Sequence, residues 1–310
     1  MIQFGLIARN FSSSSAVQSA VKNVTVIGGG LMGSGIAQVS AQAGQNVILV
    51  DTSSEALSKA KKSIGANLGR VAKKIYKDNA SEGEKFVNES LGRIKMSTDP
   101  VEAAKSADLI VEAIVENMNI KHKLFQELDA AAPPHTILTS NTSSLSINEI
   151  AAVVKRKDKF GGVHFFNPVP VMRLLEVVRG SETSEATYKT MMDWGKSVGK
   201  TCITCKDTPG FVVNRLLVPY IAEAIRLFER GDASARDIDV AMKLGAGYPM
   251  GPLELADYVG LDTNKFILEG WHKKYPNESL FKPIPLLNKL VSENKLGVKT
   301  GEGFYKYDKK

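Results

Sequence analysis

The stretch that most limits how this chain can fold is NVTVIGGGLMGSG, residues 23–35. A run of β-branched residues passes into Gly28, Gly30 and Gly33, the spacing G-x-G-x-x-G, and the chain then turns helical through LMGSGIAQVSAQAG, closed by Gly44. In a strand–loop–helix unit each glycine has a steric task. The first permits the tight turn, the second lets backbone approach a pyrophosphate, and the third lets helix pack on strand. The free N–H groups and dipole at the helix N-terminus favour an anion there. Alone the motif is weakly specific, because a glycine-rich turn can hold no ligand. Here QNVILVD supplies a second strand that ends at Asp51, 18 residues past Gly33. A carboxylate in that place accepts hydrogen bonds from adenosine ribose hydroxyls. A 2′-phosphate would meet its negative charge, so NAD is expected rather than NADP.

From Lys22 onward apolar strands alternate with helical stretches. After the second strand a polar-amphipathic region from Ser53 to about Leu91 is too long for one crossover helix and reads as a helical hairpin extending from the sheet. ADLIVEAIVE reads as a strand, followed by a helix from Asn119 to about Ala131. HTILTSN, FGGVHFF, RLLEVVRG and KTCITC read as further strands, the last two flanking a helix from Ser184 to Ser197. The alternation predicts an α/β fold with a doubly wound, mostly parallel sheet. At Asp207 the character changes. DTPGFVVNRLLVPYIAEAIRLFERG reads as a long helix stopped by Gly231, and SARDIDVAMKLGAG as another, with Ser234 as N-cap and Asp237 three residues on. Strand signals are nearly absent until GEGFYKY. The expected organisation is a Rossmann-like domain over residues 22–206 and an all-α domain over residues 207–310.

Residues 1–21 stand apart. The first twenty carry one arginine, five serines and no acid, and the first acidic residue in the chain is Asp51. That is the composition of a transit peptide, and RNFSS resembles a mitochondrial processing site, so import into the mitochondrion is expected. The formal net charge is +7, but lysines are scattered and mixed with acids, as in KRKDK and KYDKK, with no aromatic-interleaved basic stripe. Small anionic ligands are expected rather than nucleic acid. No apolar run approaches the ~18 residues that cross a bilayer. Cys202 and Cys205 form CITC. A redox CxxC normally opens a helix, whereas this one reads as a strand, where positions i and i+3 face opposite ways. Reduced thiols are expected. No His/Cys cluster has metal-ligand spacing, so no metal is expected.

Two further stretches carry chemistry. SNTSSL, residues 140–145, ends a strand at the edge where open α/β sheets bind ligands. Asn141 and Ser143 suit a nicotinamide ribose and a substrate oxygen, while Ser144 or Ser146 could equally serve as cap for the helix SINEIAAVV. GGVHFFNPVPVMRLLEVV, residues 161–178, reads as strand, proline turn and strand. Proline cannot continue a central strand, because it lacks the N–H. Twelve residues with a central turn can bring His164 and Glu176 side by side. A histidine titrating near neutrality can take a proton from a hydroxyl, and a carboxylate on its other nitrogen fixes the tautomer. At this level His164 can also be a packed histidine beside a strand acid.

VTVIGGGLMGSGIAQV, VEAIVEN, SNTSSLSI, HFFNPVPVMRLLEVV, KDTPGFVVNRLL, LGAGYPMGPLEL and KTGEGFYKY together resemble the 3-hydroxyacyl-CoA dehydrogenase family, most closely its short-chain mitochondrial type. The resemblance covers roughly residues 22–310, and HFFNPVPVM with KDTPGF is far more diagnostic than the glycine loop. It implies NAD-dependent oxidation of 3-hydroxyacyl-CoA to 3-ketoacyl-CoA in fatty-acid β-oxidation. By the same resemblance His164 is the catalytic base and Glu176 its acidic partner, with Ser143 and Asn214 near the reacting oxygens. Gly28, Gly30, Leu31, Met32, Gly33 and Asp51 hold the adenosine and pyrophosphate end of NAD. Glu116, Lys121, Asn141, Ser143, Asn167 and Lys299 supply its other contacts. Lys74 meets the CoA phosphates, and Asn67 stands at a CoA contact where relatives carry serine; Ser143 also faces the substrate. The resemblance further implies that the helical domain closes over the thioester and forms most of a homodimer interface, and that the enzyme works in the mitochondrial matrix. Two rivals are a related hydroxy-acid or 3-hydroxybutyryl-CoA dehydrogenase of the same fold and a non-catalytic, crystallin-like relative. The lysine-rich hairpin and the complete His/Glu pair favour an acyl-CoA substrate, without fixing its acyl length, and the presence of both base and acid argues against a non-catalytic relative.

Overall fold

The structure is a computed structural model that describes residues 20–308. The expected transit peptide lies outside the described residues except for Ala20 and Val21, and Val21 is already buried in the core at the foot of the sheet. Two compact units divide after Asp207.

The first unit runs β1 (Asn23–Ile27), α1 (Leu31–Gln42), β2 (Asn46–Val50), α2 (Ser54–Ile75), α3 (Ala80–Gly92), β3 (Ile94–Ser97), α4 (Pro100–Ala104), β4 (Leu109–Glu112), α5 (Met118–Ala131), β5 (Ile137–Ser140), α6 (Ile147–Ala151), β6 (Phe160–Phe165), β7 (Leu174–Arg179), α7 (Glu185–Ser197) and β8 (Thr201–Lys206). The strands form one sheet in the order β3-β2-β1-β4-β5-β6-β7-β8. Every pair is parallel except β6 with β7, which is antiparallel because the short proline turn cannot carry a crossover. Val24, Val26, Val47, Leu49, Leu109 and Val111 are buried, the continuous apolar run of strands covered on both faces. Each such side chain removed from water stabilises the unit by about 1.5–3 kcal/mol.

The long polar region is the expected hairpin. Ser53 caps α2 by accepting from the Ala56 N–H at 3.1 Å, and Asn79 caps α3. Leu57, Ala60, Ile64, Leu68 and Ala72 form the buried stripe of α2, at steps of three and four. Two details differ from the sequence reading. The strand expected over ADLIVEAIVE ends at Glu112, where the Ile114 N–H turns back to the Glu112 carboxylate. A further edge strand, β3, and a short helix, α4, lie between the hairpin and β4; four half-polar residues, IKMS, gave no strand signal.

The second unit runs α8 (Val213–Glu229), α9 (Ala235–Leu244), α10 (Pro252–Val259), α11 (Leu261–Lys274) and α12 (Pro285–Ser292). Ser234 caps α9 as its spacing predicts. Ile225, Leu253, Ala256, Leu261, Leu268, Trp271 and Phe281 make the core. Two buried acids, Asp239 and Asp257, stitch that core to the C-terminal segment. Asp239 accepts from the Leu253 and Glu254 N–H groups at the start of α10 and from the Tyr305 hydroxyl at 2.6 Å. Asp257 accepts from the Phe304 and Tyr305 N–H groups and from the Tyr307 hydroxyl.

Candidate active site

Five chain segments meet at the C-terminal edge of the parallel strands. The first is the glycine loop. Gly28 has φ +113°, and a Cβ there would lie 2.4 Å from the Ala113 carbonyl oxygen. A Cβ on Gly33 would lie 1.8 Å from the Gly28 carbonyl oxygen, so any side chain there would force α1 off β1. Around Gly30, by contrast, a Cβ would meet nothing within 4 Å. Gly30 is the N-cap of α1, and no side chain caps that end or adds an acid to its first turn. An open backbone cradle with uncapped N–H groups fits a pyrophosphate. Asp51 adjoins it: its Oδ2 accepts from the Gly29 N–H at 2.8 Å and its Oδ1 from the Ser53 N–H at 2.9 Å. The carboxylate is thereby fixed beside the loop, with lone pairs remaining for hydroxyl donors.

The loop, α1, α2 and the proline turn surround an open cleft of about 690 Å³. Leu31 and Asn167 line it, as does Asn67, which accepts from Arg70 Nη1 at 2.9 Å. Met32 packs against the core behind the loop. Lys74 does not line the cleft; it lies exposed in the last turn of α2, seven residues beyond Asn67 on the same face. The proline turn is held by Lys200, whose ammonium donates to the Val169 and Met172 carbonyl oxygens at 2.5 and 2.8 Å. Burial lowers the Lys200 pKa.

The next segments are the exits of β4 and β5. Glu116, beyond β4, accepts from the Ser143 N–H at 2.8 Å and from the Thr142 hydroxyl at 2.9 Å. Lys121 is buried, and its ammonium lies 2.5 Å from Glu112 Oε1 and 3.3 Å from Glu116 Oε2. It therefore reaches this edge through Glu116. Asn141 Oδ1 accepts from the Phe165 N–H at 2.8 Å, tying the exit of β5 to that of β6. Ser146, not Ser144, caps α6, and Asp207 seals the same helix end by accepting from Ser146 Oγ and from the Ile147 and Asn148 N–H groups.

The last segments are β6 and β7. His164 and Glu176 are direct register partners in the antiparallel pair, so both side chains stand on one face. His164 Nδ1 lies 2.7 Å from Glu176 Oε2; the histidine is 5% exposed and the acid fully buried. A carboxylate can only accept, so Nδ1 carries the proton and the tautomer is set. Phe166 packs against the imidazole at 4.6 Å between ring centres.

Asn214 and Lys299 belong to the second unit. Asn214 lies in the first turn of α8, half-buried. Lys299 pairs with Asp262, Nζ to Oδ2, at 2.6 Å. Two cysteines are unpaired, and burial pushes Cys202 up to about 11 and Cys205 up to about 12, which keeps both protonated and unreactive. Two of the other histidines have partners: His122 Nε2 lies 2.8 Å from the Glu149 carbonyl and His135 Nε2 3.2 Å from Asp108, while the buried Nδ1 of His272 has none among the described residues. Among the described residues no cluster could hold a metal ion, and no helix is long and apolar enough to cross a membrane. Sequence reasoning missed Glu112, Ser140 and Thr142 as members of this edge. The signal for Glu112 was present, a lone acid ending the otherwise apolar strand LIVE.

Residues 23–208 match the family profile described as 3-hydroxyacyl-CoA dehydrogenase, NAD binding domain, and residues 210–307 its C-terminal domain. The chain is 61% identical over 295 residues to a probable 3-hydroxyacyl-CoA dehydrogenase of Caenorhabditis elegans, covering 95% of this chain and 96% of that one. It is 58% identical to the mitochondrial hydroxyacyl-coenzyme A dehydrogenase of Homo sapiens, covering 96% and 94%. The crystal structure of (S)-3-hydroxybutyryl-CoA dehydrogenase from Ralstonia eutropha superposes with a TM-score of 0.88 at 41% identity, over 94% of this chain and all of that one.

Proposed function

This chain belongs to the 3-hydroxyacyl-CoA dehydrogenase family of NAD-dependent oxidoreductases, and we propose that it oxidises (S)-3-hydroxyacyl-CoA to 3-ketoacyl-CoA in fatty-acid β-oxidation, with His164 as base and Glu176 as its electrostatic partner. The observation that carries the assignment is the 2.7 Å contact between His164 Nδ1 and Glu176 Oε2 in a buried cross-strand pair at the ligand edge. With Nδ1 committed to Glu176, Nε2 takes the proton of the substrate hydroxyl. The imidazolium that forms is stabilised by the buried carboxylate, whose field is little screened there. NAD, when bound, supplies the nicotinamide ring that accepts hydride from the C3 carbon.

The other residues act by positioning. Gly28, Gly30 and Gly33 admit the pyrophosphate to the start of α1, with Leu31 and Met32 beside it, and Asp51 accepts from the adenosine ribose. Glu116, Asn141, Asn167 and Ser143 orient the nicotinamide end, and Ser143 with Asn214 meets the substrate oxygens. Lys121 acts through Glu116, and Lys299 contributes from the helical domain. Asn67 and Lys74, on one face of α2, take the CoA moiety, the lysine as a cation for its phosphates. We assign residues 22–206 to the cofactor and residues 207–310 to substrate closure and to a homodimer interface. We assign residues 1–21 to import into the mitochondrial matrix, in keeping with relatives named mitochondrial.

The test is NADH-linked absorbance with acetoacetyl-CoA. His164→Gln is expected to abolish turnover while NAD binding persists; retained turnover in that variant would falsify the base assignment. Steady-state rates across hydroxyacyl-CoA chain lengths, against free hydroxy acids, separate this reading from its same-fold rivals. Sedimentation equilibrium reports the homodimer, and protease protection after import reports the matrix.

A further inference from the structure

The buried acid Glu112 has no place in the proposed chemistry, yet it holds three hydrogen-bond partners at the edge of the sheet. It is the last residue of β4 and has no solvent exposure. Its Oε1 accepts from the Ile114 N–H at 2.7 Å and from the Lys121 ammonium at 2.5 Å; its Oε2 accepts from the Ser140 hydroxyl at 2.6 Å. Lys121 in turn lies 3.3 Å from Glu116 Oε2, and Glu116 Oε1 holds the Ser143 N–H and, more loosely, the Ser143 hydroxyl at 3.3 Å. Two carboxylates and one ammonium thus form a line from the sheet interior to Ser143. Their formal charges sum to one negative charge.

A structural ion pair needs only one acid for one base. Here the second acid leaves a surplus anion in a site where burial weakens dielectric screening. A buried charge of that kind is costly unless hydrogen bonds hold it, and Glu112 has three such bonds. The surplus is directed along Lys121 to Glu116, the member of the line with an exposed carboxylate, 31% accessible at the side chain.

We propose that Glu112 is a positioning residue that, through Lys121 and Glu116, keeps a net negative charge beside Ser143 and so favours the oxidised, cationic nicotinamide ring over the neutral reduced one. The inference rests on the reading that places the nicotinamide next to Ser143. An anion within several ångströms of the ring attracts NAD+ and leaves NADH nearly unaffected, because the two dinucleotides differ by one positive charge on that ring. A unit charge at such a range in a partly screened site is worth on the order of ten-fold in relative affinity.

The experiment measures the dissociation constants of NAD+ and NADH by calorimetry for the full chain and three variants, with thermal melts alongside. Glu112→Gln keeps the size and most hydrogen bonds and removes the charge; it is expected to weaken NAD+ about ten-fold and NADH less than about two-fold. Glu112→Asp keeps the charge and is expected to retain the wild-type ratio of the two constants even if its melting point falls. Glu116→Gln removes the same unit charge at an accessible position and is expected to shift the ratio in the same direction, so the proposal stays testable if Glu112→Gln does not fold. A Glu112→Gln or Glu116→Gln protein that weakens both nucleotides equally, or shifts neither, overturns it and leaves Glu112 a structural residue. A wild-type chain that binds neither nucleotide overturns the NAD reading itself, a different failure from an unchanged ratio.

Discussion

Glu176 and Asp257 are both carboxylates hidden from solvent, one on β7 of the sheet and one on α10 of the helical unit. They differ in what they face. Glu176 faces an imidazole that can change charge. Asp257 faces two backbone N–H groups and a tyrosine hydroxyl, whose charges stay constant during any reaction near neutral pH. A buried carboxylate beside a titratable base is worth most when that base is protonated, so its interaction grows along a proton transfer. One beside fixed donors is worth the same throughout and can only fasten. Removing the first is expected to act on rate, and removing the second on stability.

The largest effect is expected from Glu176→Gln. The amide is nearly isosteric but offers no charge to the imidazolium, so kcat should fall by about 10²–10⁴-fold. The melting temperature should move little, which steady-state NADH absorbance and a thermal melt read together. A variant that unfolds early yet turns over normally would break the comparison at its first step. Asp257→Ala should do the reverse. It leaves the half-buried Phe304 and Tyr305 N–H groups without their acceptor, a loss of roughly 2–4 kcal/mol, read by urea unfolding. Tyr307→Phe removes one of the three donors and keeps the carboxylate; about 1 kcal/mol is expected from the same measurement. Together the two variants rank the hydroxyl against the backbone donors.

The pair on the sheet was legible in the sequence and the pair in the helical unit was not. His164 and Glu176 straddle a proline turn in a strand–turn–strand pattern, so twelve residues of chain suffice to bring them into register. Asp257 meets partners some fifty residues away, and no local period signals that. Glu112 lies between these cases. Its oddity as an acid closing LIVE is visible, but its partners Lys121 and Ser140 come from two other elements. The alternation of strands and helices gave the doubly wound sheet, whereas the edge strand β3 is too short and too polar to announce itself. Lys121 was named as a cofactor contact by resemblance, and nothing in its local sequence shows that its ammonium is buried between two acids.

The smallest effect concerns pH and rests on Asp257 alone. Burial, with Asp239 nearby adding to it, raises the Asp257 pKa against the opposing pull of its three hydrogen bonds. A carboxyl whose folded value lies above its unfolded value, about 3.9, binds more protons folded than unfolded. Its contribution is full below pH ~3.9 and is lost as pH rises through the folded value. The wild-type chain therefore gives up some stability over that window that Asp257→Asn, which has no carboxyl to ionise, does not. Urea midpoints at pH 4, 5, 6 and 7 should show the stability of Asp257→Asn rising more steeply with pH than that of the wild type, from a lower starting level. Parallel profiles would mean that Asp257 stays ionised across the range and that its hydrogen bonds outweigh its burial.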